Sequence, residues 1–171
     1  MISKKLSDAL NEQMNYEFAS AHYYLGMAGY CSDQGLDGFA NFFQQQYEEE
    51  LFHAKKLYNF IVDMDLRVIV DGLPAPENYF DSPLAVFESA LEHEQSVTSR
   101  IYNLMDIATS EKEYATISFL QWYVDEQIEE EANMKDKITR LERIQGDCNA
   151  LYLMDAELAQ RVFDDSNGSG E

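Results

Sequence analysis

Positive charge is scarce in this chain: twelve lysines and arginines stand against 32 aspartates and glutamates, a formal charge of −20. Such a balance repels nucleic acid and anionic membranes and draws in cations, so neither of those partners is expected. Solubility alone explains acidity equally well, and the placement of the charges has to decide. Cysteine is scarcer still. Cys31 and Cys148 have no CxxC spacing and no histidine beside them as a zinc pair requires, which leaves two reduced packing thiols. Long apolar runs are absent too: no window holds the ~20 consecutive apolar residues of a membrane span. Lys4 and Lys5 are followed at once by Asp8, Asn11 and Glu12, so no signal peptide is readable and a soluble, cytoplasmic protein is expected. Proline occurs only three times, at Pro74, Pro76 and Pro83, and 171 residues suit one well-buried domain.

What is present is helical periodicity. A first helix is expected over about residues 7–32, capped by Ser7 and ended at Asp33-Gln34-Gly35. A second, about 37–64, follows a short turn and should lie antiparallel to the first. The pattern fails from Asp65 to Ser82, where Val68-Ile69-Val70 looks briefly strand-like and Asp71-Gly72, Pro74 and Pro76 break any helix. A connection this long fits a crossover that leaves the second and third helices parallel, its Val-Ile-Val run packing on the bundle or on another subunit. Ser82-Pro83 is a cap followed by proline at the first helical position, opening a third helix to about Thr109. A fourth is expected over about 111–144, ended by Gly146, and a short amphipathic helix over 150–159 that is too short to stand alone. The expected fold is all-α: a four-helix bundle with a long crossover and a short fifth helix, forming one domain over 1–163 with a polar tail at 164–171.

The seams of these helices carry acids where apolar residues belong. In the second helix, Phe39, Phe43, Gln46, Glu50, His53, Leu57, Phe60 and Met64 follow steps of four and three on a single stripe, so Glu50 and His53 point inward. The first helix places Glu17 in its seam, with Tyr24 two turns away on the same face. The third places Glu94 there, and the fourth Gln127 and Glu130. One such glutamate is ordinarily a solvated or salt-bridged residue; one near the middle of each of four seams is not coincidence. Four carboxylates and an imidazole in one confined space repel one another unless a multivalent cation neutralises them, and that ligand mixture suits a pair of first-row ions, iron above all where oxygen is involved. His22 and His93 sit one step off these stripes and read as surface or interface residues. Met14, Met105 and Met134 read as packing. A second cluster joins Glu49 of the second helix to Glu126, Glu129 and Glu130 of the fourth, the last three sharing a face by three and four spacing, and either solvent or a bound cation must relieve its repulsion.

Taken together, Asn11-Glu12-Gln13-Met14-Asn15 with Glu17, Glu50-Leu51-Phe52-His53, His93-Glu94-Gln95, and Leu120-Gln121-Trp122-Tyr123 leading to Glu126-Gln127 resemble the bacterial-type non-haem ferritins over nearly the whole chain. The resemblance implies a ferroxidase that oxidises Fe(II) with oxygen or hydrogen peroxide and stores the ferric mineral in a hollow homo-oligomer of 24 subunits. It implies that Glu17, Glu50, His53 and Glu94 hold a di-iron centre completed by Gln127 and Glu130, and that Glu49, Glu126, Glu129 and Glu130 form a third iron site. Tyr24 matches the tyrosine beside that centre, a hydrogen-bond partner or an electron source.

Departures from relatives narrow the reading. The haem-containing bacterioferritins carry two Glu-x-x-His motifs and a methionine where this chain has Leu51; the fourth helix here reads Gln127-x-x-Glu130, and no haem is expected. Rubrerythrins add a CxxC iron domain for which two distant cysteines cannot serve. The DNA-protecting mini-ferritins are shorter. The acidic pair of animal threefold pores corresponds to Ile117 and Leu120. A di-iron oxygenase or peroxidase without a storage role is the alternative, and particle size separates the two.

Overall fold

A computed structural model describes residues 2–164, so that the expected polar tail, Asp164 apart, lies outside the described residues. Five helices follow in order: α1 Lys4–Asp33, α2 Asp37–Asp63, α3 Pro83–Glu111, α4 Tyr114–Ile144 and α5 Cys148–Leu158. The first begins one turn before Ser7. Ser3 is its cap, with its hydroxyl accepting from the amide of Leu6, because Leu6 is fully buried and draws the two lysines into the first turn. At the other caps the local chemistry is as expected for α3, where Ser82 accepts from the amide of Ala85 and Pro83 opens the helix. The fourth helix starts at Tyr114, three residues later than expected, since Lys112 takes a left-handed conformation (φ 57°) and closes α3.

Pairs of contacts fix the helix directions. Ser3 bonds Glu111, Gln13 bonds Arg100 and Tyr23 bonds Ser89, so α3 runs antiparallel to α1. Gln46 bonds Glu130 while the carbonyl of His53 accepts from Tyr123, so α4 runs antiparallel to α2. The crossover climbs the outside of α1 in the direction of that helix. Asn11 and Asn15 hold its first part through bonds to the backbone of Arg67, Ile69 and Asp71, and Tyr30 packs edge-on against Phe80 at the far end. It thus starts near the N-terminus of α1 and ends near its C-terminus, which makes α2 and α3 parallel. Among the described residues there is no strand: the run Val68-Ile69-Val70 is extended, held by asparagine side chains, with Val68 half-buried on the bundle and Val70 68% exposed.

α2 has no side-chain cap of its own at Leu36. Its first amides, those of Gly38 and Phe39, donate instead to one oxygen of Asp155 on α5, at 2.9 and 3.0 Å. Only glycine allows this approach, because a Cβ at position 38 would lie 1.7 Å from the carbonyl oxygen of Asp155. The bidentate pair of Arg140 with Glu157 ties α5 to α4, and Met154 and Leu158 bury the apolar side of α5 against the bundle. Cys31 is buried as expected, but Cys148, expected to pack, is exposed at the start of α5, where the chain has only just left the left-handed turn of Gln145 and Gly146.

The apolar core comes in two pieces. One gathers Tyr24, Met27, Phe39, Phe42, Phe43, Phe87, Met134 and Met154. The other gathers Leu6, Leu10, Met14, Leu57, Ile61, Ile101, Leu120 and Tyr123. Each fully buried large side chain contributes about 1.5–3 kcal/mol, and these two masses rather than the band between them supply the stability. That band is polar.

Candidate metal centre

The polar band contains Glu17, Glu50, His53, Glu94, Gln127 and Glu130, each at most 4% exposed. Sequence spacing placed all six inward, and all six are inward. Glu17, Glu50 and His53 bring ligand atoms within 4.8 Å of one another. The Nδ1 of His53 stands 3.5 Å from Glu50 Oε2. Glu94 accepts from the Tyr24 hydroxyl on one oxygen and from the Gln127 amide on the other, the second at 3.0 Å. Gln127 also reaches the carbonyl of Glu94 and the hydroxyl of Thr98. Glu130 accepts from Gln46 at 3.0 Å. Of the described residues, Glu94 and Glu130 stand outside the triad of Glu17, Glu50 and His53.

Two oxygens tell most about what the centre lacks. Glu17 Oε2 and Glu50 Oε2 are fully buried and have no hydrogen-bond partner. An orphaned buried carboxylate oxygen costs about 1–3 kcal/mol, more if charged, so two side by side at one imidazole are a defect in the protein alone and a ligand set for a cation. Burial drives the same conclusion through proton affinity. Loss of water pushes Glu50 and Glu130 well above the ordinary carboxylate range, with neighbouring carboxylates adding to it, and raises Glu17. Glu94 rises to about 7, since desolvation outweighs the bonds from Tyr24 and Gln127. Desolvation, helped by the charge of Lys56, pushes His53 down to about 3, so its ring is neutral and its nitrogen lone pair is free to bind metal. The donor set of hard carboxylates with one imidazole fits iron.

A second triad lies on the outer side of His53: Glu49, His53 and Glu126 also bring ligand atoms within 4.8 Å. It faces a cavity of about 580 Å³ lined by Trp122, Asp125, Glu129, Arg161 and Phe163 among others. Glu129 lines this cavity but is exposed and outside the triad, and Glu130 points into the bundle. Desolvation, then the charges of Glu49 and Glu129, raises Glu126 to about 7. His53 is thus common to both groups.

Sequence reasoning missed several partners. Gln13 donates to Glu17 at 2.8 Å and is itself held by Arg100; its place four residues before Glu17 was the available signal. Arg161, bonded to Glu49 at 2.7 Å, left no signal, because nothing in the pattern tells where a segment beyond a short helix returns. One expectation is corrected. His93 is not a surface residue: its ring stacks on Tyr16 and Tyr23, its Nε2 lies 2.7 Å from the Ser20 hydroxyl, and burial lowers its proton affinity to about 4. Leu120, one of the two positions matched to the animal pore pair, is fully buried in the core, with Ile117 packed against the same cluster.

Comparison with known proteins adds the following. The profile of the ferritin family, a ferritin-like domain, matches residues 7–144. The bacterial non-heme ferritin of Staphylococcus saprophyticus is 52% identical over 166 residues, 97% of this chain and 99% of that protein. That of Staphylococcus aureus is 50% identical over 165 residues, 96% and 99% of the two chains. Among solved structures, a humanized archaeal ferritin superposes with a TM-score of 0.95 at 44% identity, covering 96% of this chain and 99% of that one. The open-pore ferritin of Archaeoglobus fulgidus gives 0.94 at 46% identity, covering 95% and 100%.

Proposed function

The chain belongs to the ferritin family, and from that premise we propose that it stores iron, oxidising Fe(II) at the buried carboxylate–histidine centre and depositing the ferric product inside a hollow homo-oligomer. The observation that carries this reading is the pair of partnerless, fully buried oxygens of Glu17 and Glu50 beside a neutral His53. Two Fe(II) ions are the substrate, held by Glu17, Glu50, His53 and Glu94, with Glu130 and the carboxamide of Gln127 at the margin. Each ion gives one electron to the oxidant, oxygen or hydrogen peroxide. Carboxylates serve because they stabilise the more highly charged product and can exchange terminal for bridging contact, so the product leaves as new substrate enters. An incoming ion competes with protons at Glu50, Glu94 and Glu130, whose affinity for them burial raises, and this competition couples uptake to pH. Tyr24, bonded to Glu94, orients that carboxylate and is placed to supply an electron.

Glu49, Glu126 and Glu129 supply an outer site for a third Fe(II), with Glu130 behind it, and its electron contributes to reduction of the oxidant. The protein works in the cytoplasm as a shell of 24 subunits. Glu50→Ala and His53→Ala test the centre: both should slow oxidation of the first two Fe(II) per subunit by at least tenfold while the particle persists. Wild-type rates in both variants would refute the assignment. A di-iron oxygenase of the same bundle would instead run as a small particle and need an organic substrate.

A further inference from the structure

Arg161 lies on the segment that follows α5, and this segment is strapped along α2 by a regular stripe. Asn41, Gln45 and Glu49 occur at intervals of four on one face of α2, so their side chains rise in a row. Asn41 donates to the carbonyls of Leu158 and Arg161, both at 3.0 Å; the oxygen of Gln45 accepts from the amide of Phe163 at 2.7 Å; Glu49 accepts from Arg161 Nη2 at 2.7 Å. The guanidinium is further fixed by a bond to the carbonyl of Phe42 at 3.2 Å and lies 4.3 Å over the Phe42 ring. Phe163 closes the strap against Phe52. One cation is therefore delivered, by main-chain anchoring rather than by a free side chain, onto one oxygen of Glu49. That same carboxylate forms the outer triad with His53 and Glu126, and Arg161 lines the cavity into which the triad opens.

We propose that Arg161 is a tethered counter-cation for the outer carboxylate group, which a metal ion must displace from Glu49 in order to bind there. This rests on the reading of Glu49 and Glu126 as a cation site. The charges facing Glu49 are Glu126, Glu129 and Glu130 from α4, Glu94 from α3 and Arg161 from the strap, while Lys56 of α2 faces Glu126. Without Arg161 the group keeps its full repulsion until an ion arrives; with it, the charge on Glu49 is offset and the ion competes with a neighbour held at high local concentration. Arg161 thereby sets the affinity of the outer site apart from the inner pair, so that the inner pair fills first and the outer ion stays exchangeable. It is a positioning and affinity-setting residue that touches a ligand.

The test is calorimetric titration of the iron-free, assembled full chain with Zn(II), which binds carboxylate and imidazole without redox chemistry. The wild type should show a tight step and a weaker one, the weaker lost in Glu49→Gln. Arg161→Met keeps the aliphatic contact with Phe42 and removes the charge; it should tighten the weaker step on the order of tenfold and leave the tight step alone. Arg161→Lys should restore near-wild-type affinity, which a role in packing would not do. Should Arg161→Met fail to assemble, Asn41→Ala loosens the strap without touching a charge and should shift the weaker step the same way, by less. A weaker step that is present, lost in Glu49→Gln and unmoved or weakened in both strap variants overturns the proposal while leaving the outer site standing. A wild type with no Glu49-dependent step overturns the outer site, and the proposal with it.

Discussion

Glu94 illustrates how much a single burial decides. Its proton affinity, raised from the ordinary 4.5 to about 7, means that the folded chain binds the proton more tightly than the unfolded one. The stability this contributes is fully present below about pH 4.5 and is lost as the pH climbs through 7; Glu50 and Glu130 act in the same direction. The melting temperature of the iron-free protein should therefore fall between about pH 5 and 8, by less in Glu94→Gln, and added Zn(II) should cancel most of the fall. An equal slope in that variant would assign the effect to the net charge instead. A second prediction concerns the outer group: replacing Glu49, Glu126 and Glu129 together with glutamine preserves volume and removes charge, so crystals soaked aerobically with Fe(II) should keep the inner pair and lose the third ion. Full occupancy of a third ion in that variant would show the outer acids to be a solvated face. The inward residues were legible because a stripe of four and three spacing tolerates no acid without a reason. Their partners were not: Arg100 and Arg161 reach Gln13 and Glu49 across 87 and 112 residues, and periodicity carries no information about such distances.

Among the elements, α5 does more than its eleven residues suggest. Asp155 replaces the missing cap of α2, the helix that carries Glu50 and His53, through two amide bonds. Asp155→Ala should cost about 1 kcal/mol, read as a melting temperature lower by a few degrees, with slower oxidation of the first irons if the start of α2 frays. An unchanged melting curve would mean that solvent caps α2 equally well. Deleting the chain after Cys148 removes the cap, the Arg140 pair and the strap at once, and should weaken the assembly or its retention of mineral, measured by particle size and iron content. The helices themselves were readable where start chemistry is local, as at Ser82-Pro83, and misread where it is not. Ser7 offered a plausible cap, but burial of Leu6 moved the start to Ser3; Glu111 offered a plausible start, but Lys112 adopts a left-handed turn there. No local pattern could have announced that the cap of α2 comes from α5.

Across the whole molecule, no helix among the described residues is long and apolar enough to cross a membrane. Large apolar side chains nevertheless remain outside: Tyr152 is 73% and Leu153 68% exposed on α5, and Tyr79 88% on the crossover. Exposed groups of this size on a monomer are what subunit contacts cover. Sedimentation should accordingly find a particle of several hundred kilodaltons rather than one near the 19.7 kDa of a single chain, and a monomer would remove the storage reading altogether. The borrowed cap also governs when a subunit becomes competent. A chain grows from its N-terminus, so α2 is made while the residue that closes its first turn is still 116 positions from being synthesised. Until then the first amides of the helix bearing Glu50 and His53 lack the side chain that caps them, although the partner helices α3 and α4 are already made. All six residues of the polar band are thus in place along the chain before the residue that caps α2, and the band gains that support only when α5 is added.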